Sequence, residues 1–225
     1  MSVVTVSEPL VPAFRRLVAG RFGMHRLSQD DGQLLDLLRQ RARALGLPSV
    51  DAYVSWLSGL VGAVADEWLH LARALTIGES YFFRDLGQMT LLRTVILPER
   101  LAANAASRRL RILSAGCSTG EEPYTLAMVL DQLGISQSWD IHIIGADIND
   151  QALERARVGR YPEWSLRGVG ATERERFFRR HGKEWEVDPR LRPWVSFRHV
   201  NLVSDPLPCS EIGLAEMDLI LCRNV

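Results

Sequence analysis

The chain has 225 residues, 47% hydrophobic and 24% charged, with 27 basic residues balancing 27 acidic ones. That length can bury the core of one large domain or two small ones, and the composition is that of an ordinary globular protein. A near-neutral pI of about 7.0 disfavours a nucleic-acid binder, and no 18-residue apolar run or leader-like start marks a membrane span or signal peptide. Cys117, Cys209 and Cys222 lack C-x-x-C spacing, which argues against a disulfide framework or a zinc site. A cytoplasmic protein without metal is expected.

Residues 1 to about 85 read as several amphipathic helices, with breaks near Gly23, Gly46 to Ser49, Gly59 to Gly62, and Thr76 to Gly78. One helix, from about Asp30 to Leu45, places Leu34, Leu35, Leu38, Ala42 and Leu45 on one side and Arg39 and Arg43 on another. From Arg15 to Arg43 seven arginines face three aspartates, a surface that would attract an acidic partner or simply be solvated. A long helical stretch from about Leu86 to Ala106 then leads to a strand at Arg111.

The stretch Arg111-Ile-Leu-Ser-Ala-Gly116-Cys-Ser-Thr-Gly120-Glu-Glu-Pro-Tyr124 reads as apolar strand, glycine turn and helix. In α/β proteins that junction commonly holds an adenine-containing cofactor. A nicotinamide fingerprint wants G-x-G-x-x-G, but only Gly116 and Gly120 are present; a P-loop wants lysine where Glu121 stands. Two carboxylates at a helix start would repel phosphate. S-adenosylmethionine carries no phosphate and offers cationic groups instead, so it is the cofactor inferred. Pro123 is expected at the first helical position, leaving Glu122 in the turn facing the cofactor. The competing reading is that Glu121 and Glu122 only decorate a helix N-terminus.

The helix carries Leu126, Ala127, Val129, Leu130 and Leu133 and is stopped by Gly134. Next comes Ile141-His-Ile-Ile-Gly-Ala-Asp147, read as a buried parallel strand ending in an acid. An acid there is placed to accept from ribose hydroxyls, and since Asn149 or Asp150 can cap the following helix, ribose binding is favoured for Asp147. Between Gly159 and Pro193 lies a charged helix, Glu173 to Arg180; strand-like alternation resumes over Trp194 to Val200, and the last strand is Met217 to Cys222. Cys117 reads as a small turn residue and Cys222 as buried packing.

The segments Ser80-Tyr-Phe-Phe-Arg-Asp85, Ser118-Thr-Gly-Glu-Glu-Pro-Tyr124, Ala146-Asp-Ile-Asn149, Asn201-Leu202 and Cys222-Arg-Asn-Val225 resemble, in order and spacing, the CheR-type chemotaxis-receptor methyltransferases. The resemblance covers nearly the whole chain. It implies an N-terminal all-α docking domain (residues 1–85), a linker helix (86–110) and a Rossmann-like α/β methyltransferase domain with a small β insertion (111–225), truncated after the fourth strand. It implies transfer of a methyl group from S-adenosylmethionine to glutamate side chains in a receptor's cytoplasmic helical bundle, with S-adenosylhomocysteine as product. Position by position, Arg84, Glu122, Asp147, Asn201, Leu202, Arg223 and Asn224 match cofactor-contacting positions; Ser80 keeps a hydroxyl where threonine is commoner, and Gly116 lies in the cofactor turn. Gly78 departs from an asparagine that touches the cofactor in some members.

By the same resemblance, Arg39 and Arg43 belong to the receptor-docking helix, and the compact loop from His181 to Arg192 suggests recognition without a receptor-tail peptide. Family members continue past Val225 with a tyrosine-bearing segment of the active site, so a longer protein is expected. A glutamate carboxylate is already ionised near neutral pH, and no general base is required. Arg84 is the leading catalytic candidate, holding the acceptor carboxylate or the cofactor end, while Phe82 and Phe83 are expected to pack the domain junction. Two alternatives remain: a non-catalytic cofactor-binding docking module, and a nicotinamide oxidoreductase.

Overall fold

The structure, a computed structural model, describes residues 9–59, 65–135 and 138–225. Two compact units are distinguished by their internal contacts: Met1–Ile77 with Asn201–Ser204, and Gly78–Val200 with Asp205–Val225.

The first unit is helical, with α1 (Leu10–Phe22), α2 (Asp31–Ala44), α3 (Val50–Ser58) and α4 (Ala65–Leu75). Local chemistry sets the ends. Gly23 takes the left-handed conformation that closes α1, and Asp30 and Gln33 form a reciprocal capping box at the start of α2. The 3.6-residue periodicity buries Leu34, Leu38 and Ala42 against Phe14, Val18, Tyr53, Leu57, Leu71 and Leu75. Each large side chain so buried contributes about 1.5–3 kcal/mol relative to exposure. Leu45, expected on that apolar side, is 40% exposed because the helix ends at Ala44 and the chain turns away at the cap. Gly59 closes α3; the rest of the expected break, residues 60–62, lies outside the described residues.

The second unit opens with α5 (Leu86–Leu91), a π-helical turn (Leu92–Ile96) and α6 (Leu97–Ala103). The chain then alternates β1 (Arg109–Ala115), α7 (Glu121–Gln132), β2 (Asp140–Asp147) and α8 (Asp150–Val158). Strands β6 (Val195–His199) and β7 (Leu219–Cys222) complete a parallel sheet of order β6-β2-β1-β7. That is the 3-2-1-4 order of a Rossmann-like half, whose strand order reverses beside β1, where ligands bind at the carboxyl edge. Between α8 and β6, strands β3 (Arg160–Tyr161), β4 (Phe178–His181) and β5 (Glu184–Val187) form a separate antiparallel sheet, order β3-β5-β4. This is the α/β fold with a small β insertion that the sequence implied.

Some expectations are corrected. The helix read as Glu173 to Arg180 is α9, Ala171–Phe177; Phe178–His181 pairs with β5 instead, because Phe178 turns into the core while its polar neighbours face solvent. Cys222 is exposed rather than buried, since only alternate residues of β7 face inward and Leu221 takes that place. Phe82 is fully buried in the core of this unit, edge-on to Tyr161 and Phe178, rather than reserved for a junction.

Candidate cofactor site

The turn after β1 is built from left-handed residues. Gly116, Ser118 and Gly120 have φ of 68°, 50° and 91°. A Cβ on Gly120 would meet Ala156 at 2.8 Å and the Phe197 ring at 3.0 Å, so this glycine is required by space as well as conformation, whereas one on Gly116 would meet only the exposed Val225 side chain and conformation alone favours glycine there. The N–H groups of Gly116 and Cys117 donate to Ala146 O at 2.8 and 3.0 Å, strapping the turn to the end of β2. Ser118 is a non-glycine held at positive φ, a strained arrangement that structures retain where a site demands it. Cys117 is buried, and burial pushes its thiol well above the ordinary range, which leaves it no nucleophilic role.

Helix α7 begins at Glu121, so Glu122 is its second residue and Pro123 its third, not the first as expected. Gly120 makes the bend that the proline was thought to mark. A proline is still accommodated because the N–H groups of the first turn have no intrahelical partner to lose. The two glutamates then diverge. Glu121 is 1% exposed and accepts from Thr119 Oγ1 at 2.7 Å and Ser165 Oγ at 3.2 Å, with the Ser80 hydroxyl also contributing. Desolvation raises its pKa, and these hydroxyl bonds pull against that shift. Glu121 is therefore an internal brace, and the Ser80 hydroxyl favours its charged form.

Glu122 turns the other way. Ser114 Oγ donates to its Oε1 at 2.6 Å, and Arg223 pairs with its Oε2 at 3.0 Å, both partners of that ion pair being mostly buried. Arg223 also donates to Arg84 O at 2.8 Å. One guanidinium thus ties the start of α7, the end of β7 and the Ser80–Asp85 segment into one cluster. Phe83 and Asn224, neighbours of Arg84 and Arg223, have φ of 56° each. The Arg84 guanidinium donates to Glu79 O at 3.0 Å and lies 5.7 Å from the centre of the Tyr81 ring.

Asp147, at the carboxyl end of β2, accepts from the backbone of Ser118 at 2.7 Å and of Asn149 at 2.8 Å. Burial raises its pKa, and those backbone bonds oppose the rise. Asn149, not Asp147, caps α8 by accepting from Ala152 N. Asp147 therefore locks the turn after β1 to β2 and keeps lone pairs beyond those two bonds. Asn201 and Leu202 group with the helical unit: the Asn201 amide donates to Arg21 O at 2.9 Å and accepts from Val203 N at 3.0 Å, and Leu202 is 37% exposed.

Of the residues singled out in the sequence, Arg84, Glu122 and Arg223 are thus brought together directly, and Gly116 and Asp147 frame the adjoining turn. Ser114 escaped notice, although a polar residue in so apolar a strand was a signal. The donor set fits an adenosyl ligand without phosphate: carboxylates occupy the helix start, while Ser118 Oγ is buried without a hydrogen-bond partner among the described residues.

Residues 78–225 match the family model described as the CheR methyltransferase, SAM binding domain. The chain belongs to the CheR methyltransferase family. S-adenosylmethionine is accordingly its cofactor. The chain is similar to a probable biofilm formation methyltransferase WspC of Pseudomonas aeruginosa, 34% identical over 212 residues, covering 94% of this chain and 48% of that protein. It is similar to chemotaxis protein methyltransferase 1 of the same organism, 35% identical over 159 residues, or 68% of this chain and 56% of that one. It is also 29% identical over 228 residues to a chemotaxis protein methyltransferase of Borreliella burgdorferi, covering 99% of this chain and 78% of that protein. The chain spans about half the length of the first two relatives. Among the described residues no helix is long and apolar enough to cross a membrane.

Proposed function

We propose that this chain is the cofactor-binding and receptor-docking part of a protein-glutamate O-methyltransferase. It would methylate side chains of a chemoreceptor-like signalling protein to γ-glutamyl methyl esters, in the cytoplasm. The observation that carries this reading is the Glu122–Arg223–Arg84 cluster beside the turn after β1, within residues that match the family's cofactor-binding domain. Bound S-adenosylmethionine supplies an electrophilic methyl group, and the protein's work is to bind, orient and exclude water.

In this reading Gly116 and the turn around it give the cofactor close backbone approach, Asp147 accepts from ribose, and Glu122, held rigid by Ser114 and Arg223, offers its remaining lone pairs to cationic groups. Ser80 acts through Glu121. Arg223, Asn224, Asn201 and Leu202 complete the cofactor contacts by resemblance. Arg84 is the catalytic residue, its planar guanidinium fixing the acceptor carboxylate, which is ionised near neutral pH and needs no base. Positioning of this kind can supply several kcal/mol of barrier reduction. The helical domain, residues 1–85, docks on an acidic helical bundle through Arg39 and Arg43, both exposed on α2; residues 86–110 link it to the methyltransferase domain.

Calorimetric titration with S-adenosylhomocysteine, beside a thermal melt, tests the pocket. Saturable binding that Asp147→Ala abolishes supports it; a folded wild type that does not bind rejects it. Base-labile methyl incorporation into receptor protein then tests the ester.

A further inference from the structure

Arg167 lies outside the cofactor cluster, and no family motif draws attention to it. Its guanidinium carbon is 3.6 Å from the centre of the Tyr81 ring and 3.4 Å from that of Trp164, so the cation is held between two aromatic rings whose planes stand 71° apart. One N–H holds it in register by donating to Trp164 O at 3.1 Å. Nearby arginines are neutralised: Arg174 and Arg180 pair with Glu163, Arg176 with Asp131 and Arg192 with Glu186. Arg167 has no carboxylate within ion-pair distance among the described residues, and the residue is exposed.

Arg84 shares the same aromatic ring. Separations of 5.7 and 3.6 Å from one ring centre put the two guanidinium carbons less than about 10 Å apart, within roughly one Debye length. Neither has a carboxylate partner among the described residues. Two like charges within that distance favour an anion near them. The two ring contacts and the bond to Trp164 O also pre-organise the recognition group: rotamer freedom that a free arginine would lose on binding is already given up before any ligand arrives. One N–H is spent on Trp164 O, and the other guanidinium donors have no carboxylate among the described residues, so a carboxylate that arrives can take a charge-assisted contact there.

We infer that Arg167, clamped between Tyr81 and Trp164, is a specificity-determining contact that holds a carboxylate of the protein substrate next to the one presented at Arg84. This rests on the methyl-transfer reading above. It selects acceptor glutamates that have an acidic neighbour, and it makes Tyr81 the element that couples the two arginines.

The test uses the whole protein, a synthetic glutamate-rich helical peptide as probe and its all-glutamine counterpart as control, titrated at low salt. Wild type should bind the glutamate peptide and not the control. Arg167→Ala should weaken that binding about tenfold, the loss of a charge-assisted contact, with the melting temperature and S-adenosylhomocysteine affinity unchanged. Arg167→Lys, charged but without the planar two-point fork, should recover only part of the loss. Retention of affinity within about twofold in Arg167→Ala, or no discrimination between the peptides by wild type, overturns the inference. Weakened S-adenosylhomocysteine binding in Arg167→Ala would mean that the carboxylate recognised is the cofactor's own, and overturns it too. Failure of wild type to bind S-adenosylhomocysteine would instead count against the methyl-transfer reading.

Discussion

Replacing Glu121 by glutamine asks whether the buried carboxylate at the start of α7 stabilises the fold or burdens it. Its carboxylate is 1% exposed, held by the hydroxyls of Thr119 and Ser165, with no cation paired to it among the described residues. Neutralising it turns charge-assisted bonds of about 1.5–3 kcal/mol into ordinary ones of about 1 kcal/mol, a loss of about 1–4 kcal/mol over the two. It also relieves the desolvation of a buried ion, which costs several kcal/mol. Hydroxyls both donate and accept, so the glutamine amide can be satisfied by rotation. The two effects nearly cancel, and Glu121→Gln should lie within about 2 kcal/mol of wild type at pH 8.

The sign of the pH dependence follows from burial. Because the folded pKa is raised, the native state holds the proton more tightly than the unfolded chain. This group's contribution is therefore greatest below the ordinary carboxylate range and is lost as pH rises through the raised value. Urea unfolding of both proteins at acidic, neutral and mildly alkaline pH measures the difference. The variant should gain on wild type as pH rises, while S-adenosylhomocysteine still binds. A variant that loses more than about 3 kcal/mol at pH 8, or that falls further behind as pH rises, would refute the account of Glu121 as a hydroxyl-braced burden.

Four further outcomes are expected. Asp147→Ala strands the N–H groups of Ser118 and Asn149 and should cost about 2–4 kcal/mol in a denaturant melt, besides removing cofactor binding. Arg84→Ala loses one hydrogen bond and a ring contact, so the fold should persist while methyl transfer drops about 100-fold; near-normal turnover removes Arg84 from the mechanism. Among the described residues, the pair Arg39→Glu with Arg43→Glu breaks only the exposed Arg39–Asp36 pair, worth a few tenths of a kcal/mol. It should weaken receptor methylation and spare S-adenosylhomocysteine binding, the reverse pattern defeating the docking proposal. Arg41→Met should destabilise the helical unit by about 3 kcal/mol, because Glu67, 3% exposed, then keeps only the Tyr53 hydroxyl; an unchanged melt would show that the ion pair contributes nothing.

Local pattern carried a large share of the architecture. The alternation of apolar strand, glycine turn and amphipathic helix is a short-range signal, so β1, α7 and β2 were legible within a residue or two, and Asp30 and Gly23 announced the ends of α2 and α1. Identity of the cofactor followed from what the turn lacks, a third glycine and a lysine, since those residues act on phosphate through local backbone and charge.

Tertiary structure decided the rest. Glu121 and Glu122 are adjacent and chemically alike, yet successive residues on a helix point about 100° apart. One is consumed by the neighbouring Thr119 hydroxyl and that of Ser165, 44 positions away, and the other is matched to Arg223, 101 positions along the chain. The same holds for Arg167, an ordinary arginine in a turn until the fold brings the Tyr81 and Trp164 rings against its guanidinium. Sequence determined which groups this protein possesses and which short elements carry them. Only packing determined which charges were spent on the fold and which were left for a ligand, because charges are paired by distance in space and not along the chain.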